Sequence, residues 1–155
     1  MEVVPRWAFR LPGRGGADGV LRRRGAVLER LLHVEGRRAV VRVAQTGARS
    51  VLFGAWAHER ADAEEAIARM RFALAVDDDL RPFYERFRCD PLIGASVRRA
   101  PWLRIARRPV AFEALAWAVC EQLIESERAA AIQRRIVRAF GARCPQTGLR
   151  EVPTA

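Results

Sequence analysis

The spacing of the apolar residues changes once along the chain, and that change limits what it can fold into. Up to about Trp56 they come in short runs separated by Gly and Arg, a pattern that suits strands and turns. From Asp62 onward they recur at helical spacing. A block of strands followed by a block of helices reads as an α+β fold: a small antiparallel sheet with a covering helix, then further helices. Val27 to Val34 and Ala39 to Ala44 flank Glu35-Gly36-Arg37-Arg38, which reads as a hairpin with Gly36 in a left-handed conformation. Ser50 to Ala57 adds a strand with Val51, Phe53 and Ala55 on one face. Asp62 and Glu65 have capping-box spacing, and Ala66, Ile67, Met70, Ala73 and Leu74 form the stripe of a helix that can cover the sheet.

The second half reads as helices joined by short breaks. Asp77-Asp78-Asp79 precedes a short helix around Leu80, Phe83, Tyr84 and Phe87, where carboxylates suit the helix dipole and capping better than a divalent cation. Phe112, Leu115, Ala116, Val119, Cys120 and Leu123 mark one face of a stronger helix, with Trp117 and Ile124 on another side. Such a helix is expected at the centre of a bundle. Ser126 is placed to cap a second helix with Ala129, Ile132, Ile136, Val137 and Phe140 on its apolar face, and Gly141 is its stop signal. The organisation expected is therefore a sheet unit with one helix over residues 1–76, a helical unit over 77–143, and a connector or truncated tail over 144–155.

Composition narrows the function. A chain of 155 residues that is half apolar can bury a core without metal or disulfide. Its net charge is +10, all 28 basic residues are Arg, and the excess is +6 through Val76 and +4 beyond it. Arg in place of Lys fits a GC-rich genome as well as phosphate recognition, so the sign of the charge carries the weight: it favours a polyanionic partner, nucleic acid above all. Cys89, Cys120 and Cys144 are odd in number and lack a C-x-x-C pair, which predicts reduced thiols in an intracellular protein and no zinc site. Neither a signal peptide nor a membrane span is expected.

Residues able to do chemistry are few. His33 and His58 have no Cys or carboxylate at ligand spacing, and no nucleophile elbow, zinc-binding H-E-x-x-H or P-loop is present. Glu113, Glu121, Glu125 and Glu127 cluster in the helical half, with Glu121 and Glu125 on one face, where two solvated surface carboxylates are the simpler reading. The loop Gly13-Arg14-Gly15-Gly16 lacks the spacing of a dinucleotide fingerprint.

One stretch carries a resemblance. Met70 to Gly141 contains Asp77-Asp78-Asp79-Leu80-Arg81-Pro82-Phe83-Tyr84, Asp90-Pro91-Leu92-Ile93-Gly94, Pro101-Trp102-Leu103, and Phe112-Glu113-Ala114-Leu115 running through Glu121-Gln122-Leu123-Ile124 to Ala129-Ala130-Ala131-Ile132. It resembles the alkylbase DNA glycosylases of the 3-methyladenine glycosylase II type, in the helix-hairpin-helix superfamily. The region from about Trp7 to Leu74 is similar to that family's N-terminal sheet domain. The resemblance covers nearly all of this chain and about the first half of the family's length, so it implies a sheet followed by the first helices of an α-helical glycosylase domain.

The family hydrolyses the N-glycosidic bond of alkylated purines without metal or redox cofactor, which implies DNA repair by base excision, on double-stranded DNA containing alkylated bases. The family's Pro-Gly-x-Gly hairpin and its catalytic Asp have no match here; no Asp follows Asp90. No catalytic residue is therefore assigned, and the chain alone is expected to be inactive. The resemblance does place Gln122 and Leu123 on the family's wedge, the apolar side chain that fills the gap left when a nucleotide is rotated out of the duplex. The helical spacing allows another reading, in which Leu123 continues the stripe from Cys120 into the core. The other functions open to the chain are a non-catalytic basic DNA-binding module and a truncated inactive product. The compartment implied is the cytoplasm of a bacterium, with nucleoid association through DNA.

Overall fold

The computed structural model describes residues 1–13, 15–16 and 18–154. Arg14 of the Gly13–Gly16 loop and Ala155 of the expected tail lie outside the described residues. Five strands form one antiparallel sheet: β1 (Glu2–Val3), β2 (Leu21–Arg24), β3 (Val27–Val34), β4 (Arg37–Gly47) and β5 (Ser50–Trp56), in the order β1-β5-β4-β3-β2. Helices α1 (Arg60–Leu74), α2 (Arg81–Phe87), α3 (Gly94–Arg99), α4 (Ala111–Cys120) and α5 (Ser126–Phe140) follow among the described residues. The α+β reading holds.

Local chemistry sets the register of the sheet. Val34 pairs with Arg37, leaving a two-residue turn in which Glu35 (φ 48) and Gly36 (φ 75) are both left-handed. That is the turn whose twist matches its flanking strands, and it lets β4 begin at Arg37, two residues before the expected Ala39. Alternation then sorts the strands into two faces. Leu28 and Leu32 of β3, Val41 and Val43 of β4, and Val51 and Phe53 of β5 are buried in one cluster with Ala66 and Met70 of α1. Each such side chain contributes roughly 1.5–3 kcal/mol of transfer free energy, so this face holds most of the stabilising burial.

The start of α1 departs from the capping-box expectation. The helix opens at Arg60 with Glu59 as its N-cap and no side-chain cap bond. Asp62 is turned inward, 2% exposed, and its two carboxylate oxygens accept from Arg37 Nε at 2.6 Å and Nη2 at 2.7 Å. A bidentate Arg partner outcompetes the backbone N–H groups that Asp62 was expected to cap. The three aspartates after α1 likewise go to separate partners. Asp77 holds Arg71, Asp78 holds Arg107, and Asp79 accepts from the N–H of Arg81 as α2 begins.

The segment from Cys144 to Val152, expected as a connector with almost no apolar face, returns to the sheet. Arg143 and Arg150 form a bridge, and Cys144 and Leu149 are buried against Leu31 and Val40 on the face opposite α1. Gly141 makes this return possible: a Cβ there would lie 2.2 Å from the Glu151 carbonyl oxygen and 2.6 Å from that of Val137. At the far end of the segment Glu151 pairs with Arg38 and, at 3.2 Å, with His33. Two apolar residues five apart follow neither a helical nor a strand period, which is why the pattern conceals them.

Two further expectations for the helices change. Helix α4 ends at Cys120, and its stripe lies open: Phe112 is 40% exposed, Leu115 64% and Val119 59%. Only its Glu113 and Trp117 side is buried, because the sheet and α5 meet it there. It is therefore not central to a bundle among the described residues. Helix α5 takes Glu125 rather than Ser126 as N-cap, and Phe140 is 75% exposed, outside the face formed by Ala129 and Val137.

Candidate nucleic-acid interface

The corner between α4 and α5 is built by what fixes its two sides. Trp117 is buried on α4 against Val137 of α5 and Val20 of the sheet side. The N–H of Glu121 donates to the Trp117 carbonyl at 3.0 Å, and that of Gln122 to the Val119 carbonyl at 3.3 Å, closing the helix. Across the corner Gln133 Nε2 donates to Glu121 Oε1 at 3.0 Å. With the helix stopped at Cys120, the next residues cannot continue its stripe.

Leu123 stands at the apex. Its φ is 58°, in the left-handed region that residues other than Gly, Asn and Asp seldom occupy, and its side chain is fully exposed at 105%. The conformation costs about 1 kcal/mol or more, and leaving a leucine in water forgoes its burial energy. The reading that placed Leu123 in the core is excluded by this position. Gln122 is exposed beside it.

The charge around the corner is mixed. Glu125 and Glu127 are exposed next to it, and Arg128 opens α5 with no ion pair among the described residues. Arg134, Arg135 and Arg138 further along α5 are unpaired in the same sense. The apex is thus apolar, and the unpaired positive charge lies along α5.

One functional support was not legible in the sequence. Glu113, grouped there with solvated carboxylates, is 1% exposed and meets the equally buried Arg30 of β3, with Nη2 to Oε2 at 2.5 Å. Arg108 stands 3.7 Å from the other carboxylate oxygen. This pair pins the first turn of α4 to the sheet. The only signal for it was an Arg on the face of the strand Val27 to Val34 that otherwise carries Leu28, Leu32 and Val34.

The remaining candidates do not converge. His33 faces Glu151, His58 is exposed beside Glu59, and the three thiols are free and apart. Among the described residues no three His, Cys, Asp or Glu side chains are grouped to hold a metal ion, and no helix is long and apolar enough to cross a membrane.

Comparison with known proteins bears on the fold. No family model matches the chain. Over 78 residues, 50% of the chain, it is 37% identical to a DNA-3-methyladenine glycosylase of Bacillus subtilis (strain 168), and that stretch spans 26% of the relative's length. Its fold is similar to that of a 3-methyladenine DNA-glycosylase from Archaeoglobus fulgidus, with a TM-score of 0.79 at 17% identity, covering 99% of this chain and 56% of the other. The resemblance drawn from the sequence is borne out, and the chain spans little more than half the length of its structural relative.

Proposed function

We propose that this chain serves base excision on DNA as the sheet and first helices of a 3-methyladenine glycosylase fold, with Gln122 and Leu123 as the wedge that enters the duplex. In this reading residues 1–76 are the sheet unit, residues 77–143 open the helical unit, and the partner is double-stranded DNA containing alkylated bases, with nucleoid association following from it. The observation that carries the proposal is the apex itself. A fully exposed leucine held in a left-handed conformation costs the free protein stability, and that cost is recovered when the side chain is buried between bases.

Rotating a damaged nucleotide outward breaks its stacking, which costs a few kcal/mol. Leu123 entering the gap replaces the lost apolar contact, and Gln122 beside it has an amide that can hydrogen-bond the orphaned partner base. The α5 arginines supply attraction to phosphate. No residue here is assigned to the hydrolysis of the N-glycosidic bond, so the chain by itself is expected to bind and to distort DNA without releasing a base.

The test is binding to a duplex with 2-aminopurine beside an abasic site. The chain should raise the 2-aminopurine fluorescence, and Leu123→Ala should remove that rise and weaken binding about tenfold. An unchanged signal in Leu123→Ala would sink the wedge. Release of 3-methyladenine from methylated duplex by the chain alone would overturn the expectation of inactivity.

A further inference from the structure

The face of the sheet opposite α1 carries a cavity that the proposed wedge does not use. It has a volume of about 620 Å³, within the range of small-ligand sites, and is lined by Arg38, Arg42, Trp56, Cys144, Gln146 and Thr147 among others. Trp56 is 57% exposed, and the Arg42 guanidinium lies 4.7 Å from its ring centroid. A large aromatic ring left half open on a strand, already stacked on a guanidinium, is a platform for a further planar group.

The charge around this platform is unbalanced in one direction. Glu29 is buried and shared by Arg22, Arg42 and, at 4.0 Å, Arg24. Glu151 is shared by Arg38 and His33. This face thus carries four arginines against two carboxylates, and of these residues Arg38 and Arg42 line the cavity with Trp56 while neither carboxylate does. A planar stacking surface next to surplus guanidinium groups matches one unit that is flat at one end and anionic at the other, a nucleotide. In a duplex the faces of the bases are covered by their neighbours. An unpaired nucleotide offers both the base face and the phosphate.

We propose that this cavity is a second nucleic-acid site, which takes an unpaired nucleotide of single-stranded DNA with its base stacked on Trp56 and its phosphate on Arg38 and Arg42. The inference takes from the proposed function only that the chain meets nucleic acid. Its geometry is independent of Leu123, which lies on the α4–α5 corner and does not line this cavity.

The experiment is fluorescence anisotropy of labelled oligo(dT) against the full chain, with Trp56→Ala, Trp56→Phe and Leu123→Ala variants and dTMP as competitor. Trp56→Ala should weaken oligo(dT) binding by about tenfold or more, the usual cost of losing one stacked base, and Trp56→Phe should restore most of it. Affinity should fall with salt, and Leu123→Ala should leave it unchanged. Oligo(dT) binding that is indifferent to Trp56→Ala in a folded variant would overturn the proposal, as would dTMP binding as tightly as the oligonucleotide. Should Trp56→Ala not fold, quenching of tryptophan fluorescence by oligo(dT) decides: the proposal expects it to be lost in Trp56→Phe, and its persistence there overturns it. The wedge and this cavity fail separately, since one is read by Leu123 on the damaged duplex and the other by Trp56 on the single strand.

Discussion

Asp62 shows how a single carboxylate serves the fold differently from the role its sequence position suggests. The hydrogen bonds from Arg37 outweigh desolvation and hold its carboxyl below the ordinary range. A carboxyl whose folded pKa is depressed contributes stability that is fully present above its unfolded value of about 3.9 and is lost as the pH falls through the folded value. Asp62→Asn should therefore lower the urea midpoint at neutral pH, and the difference from the wild-type chain should shrink below about pH 4. A difference that stays constant down to acid unfolding would show that Asp62 acts without its charge. The same balance governs Glu29. Its burial raises the carboxyl's pKa, but Arg22 and Arg42 together overcome that and leave it lowered.

At the scale of elements, the buried Arg30–Glu113 pair links β3 to α4 and is the contact whose loss should be felt most. Glu113→Gln strands a buried guanidinium and is expected to cost about 3–5 kcal/mol in urea unfolding. Replacing both partners together, as Arg30→Met with Glu113→Leu, is expected to recover most of that. A double variant as unstable as the single would refute the account. This pair also shows why the sequence was only partly legible. The hairpin at Glu35-Gly36 and the α1 stripe through Ala66 and Met70 could be read because turn chemistry and period are local properties. The end of α4 could not, because Glu121-Gln122-Leu123-Ile124 keeps helical spacing, and the break after Cys120 falls where Trp117 packs on Val137 of α5 and Gln133 of α5 bonds Glu121. Glu113 and the Cys144–Leu149 segment were hidden for the same reason: their partners lie far away in the chain. Of the candidate site, the resemblance supplied Gln122 and Leu123, while their exposure came only with the fold.

The whole molecule leaves a continuous set of large apolar side chains uncovered on one helix. Phe112, Leu115 and Val119 on α4 are each 40% exposed or more. Surfaces of this kind associate. Concentration-dependent self-association is expected in analytical ultracentrifugation, and Leu115→Glu should reduce it with little change in the thermal midpoint, because the side chain is 64% exposed in the monomer. A wild-type chain that sediments as a monomer at all concentrations would remove this expectation.

The returning segment has a mechanical meaning. A side chain that parts stacked bases is pushed back with equal force, and a corner joined to the rest by one helix would swing aside under that load. Here the far end of α5 runs into Gly141 and then into a strap, Cys144 to Val152, fastened to β3 and β4 by Leu149 and Glu151. Close-packed interiors yield little under compression. In the proposed function, thrust received at Leu123 would pass down α5 and into the sheet, which would act as the abutment against which the corner pries.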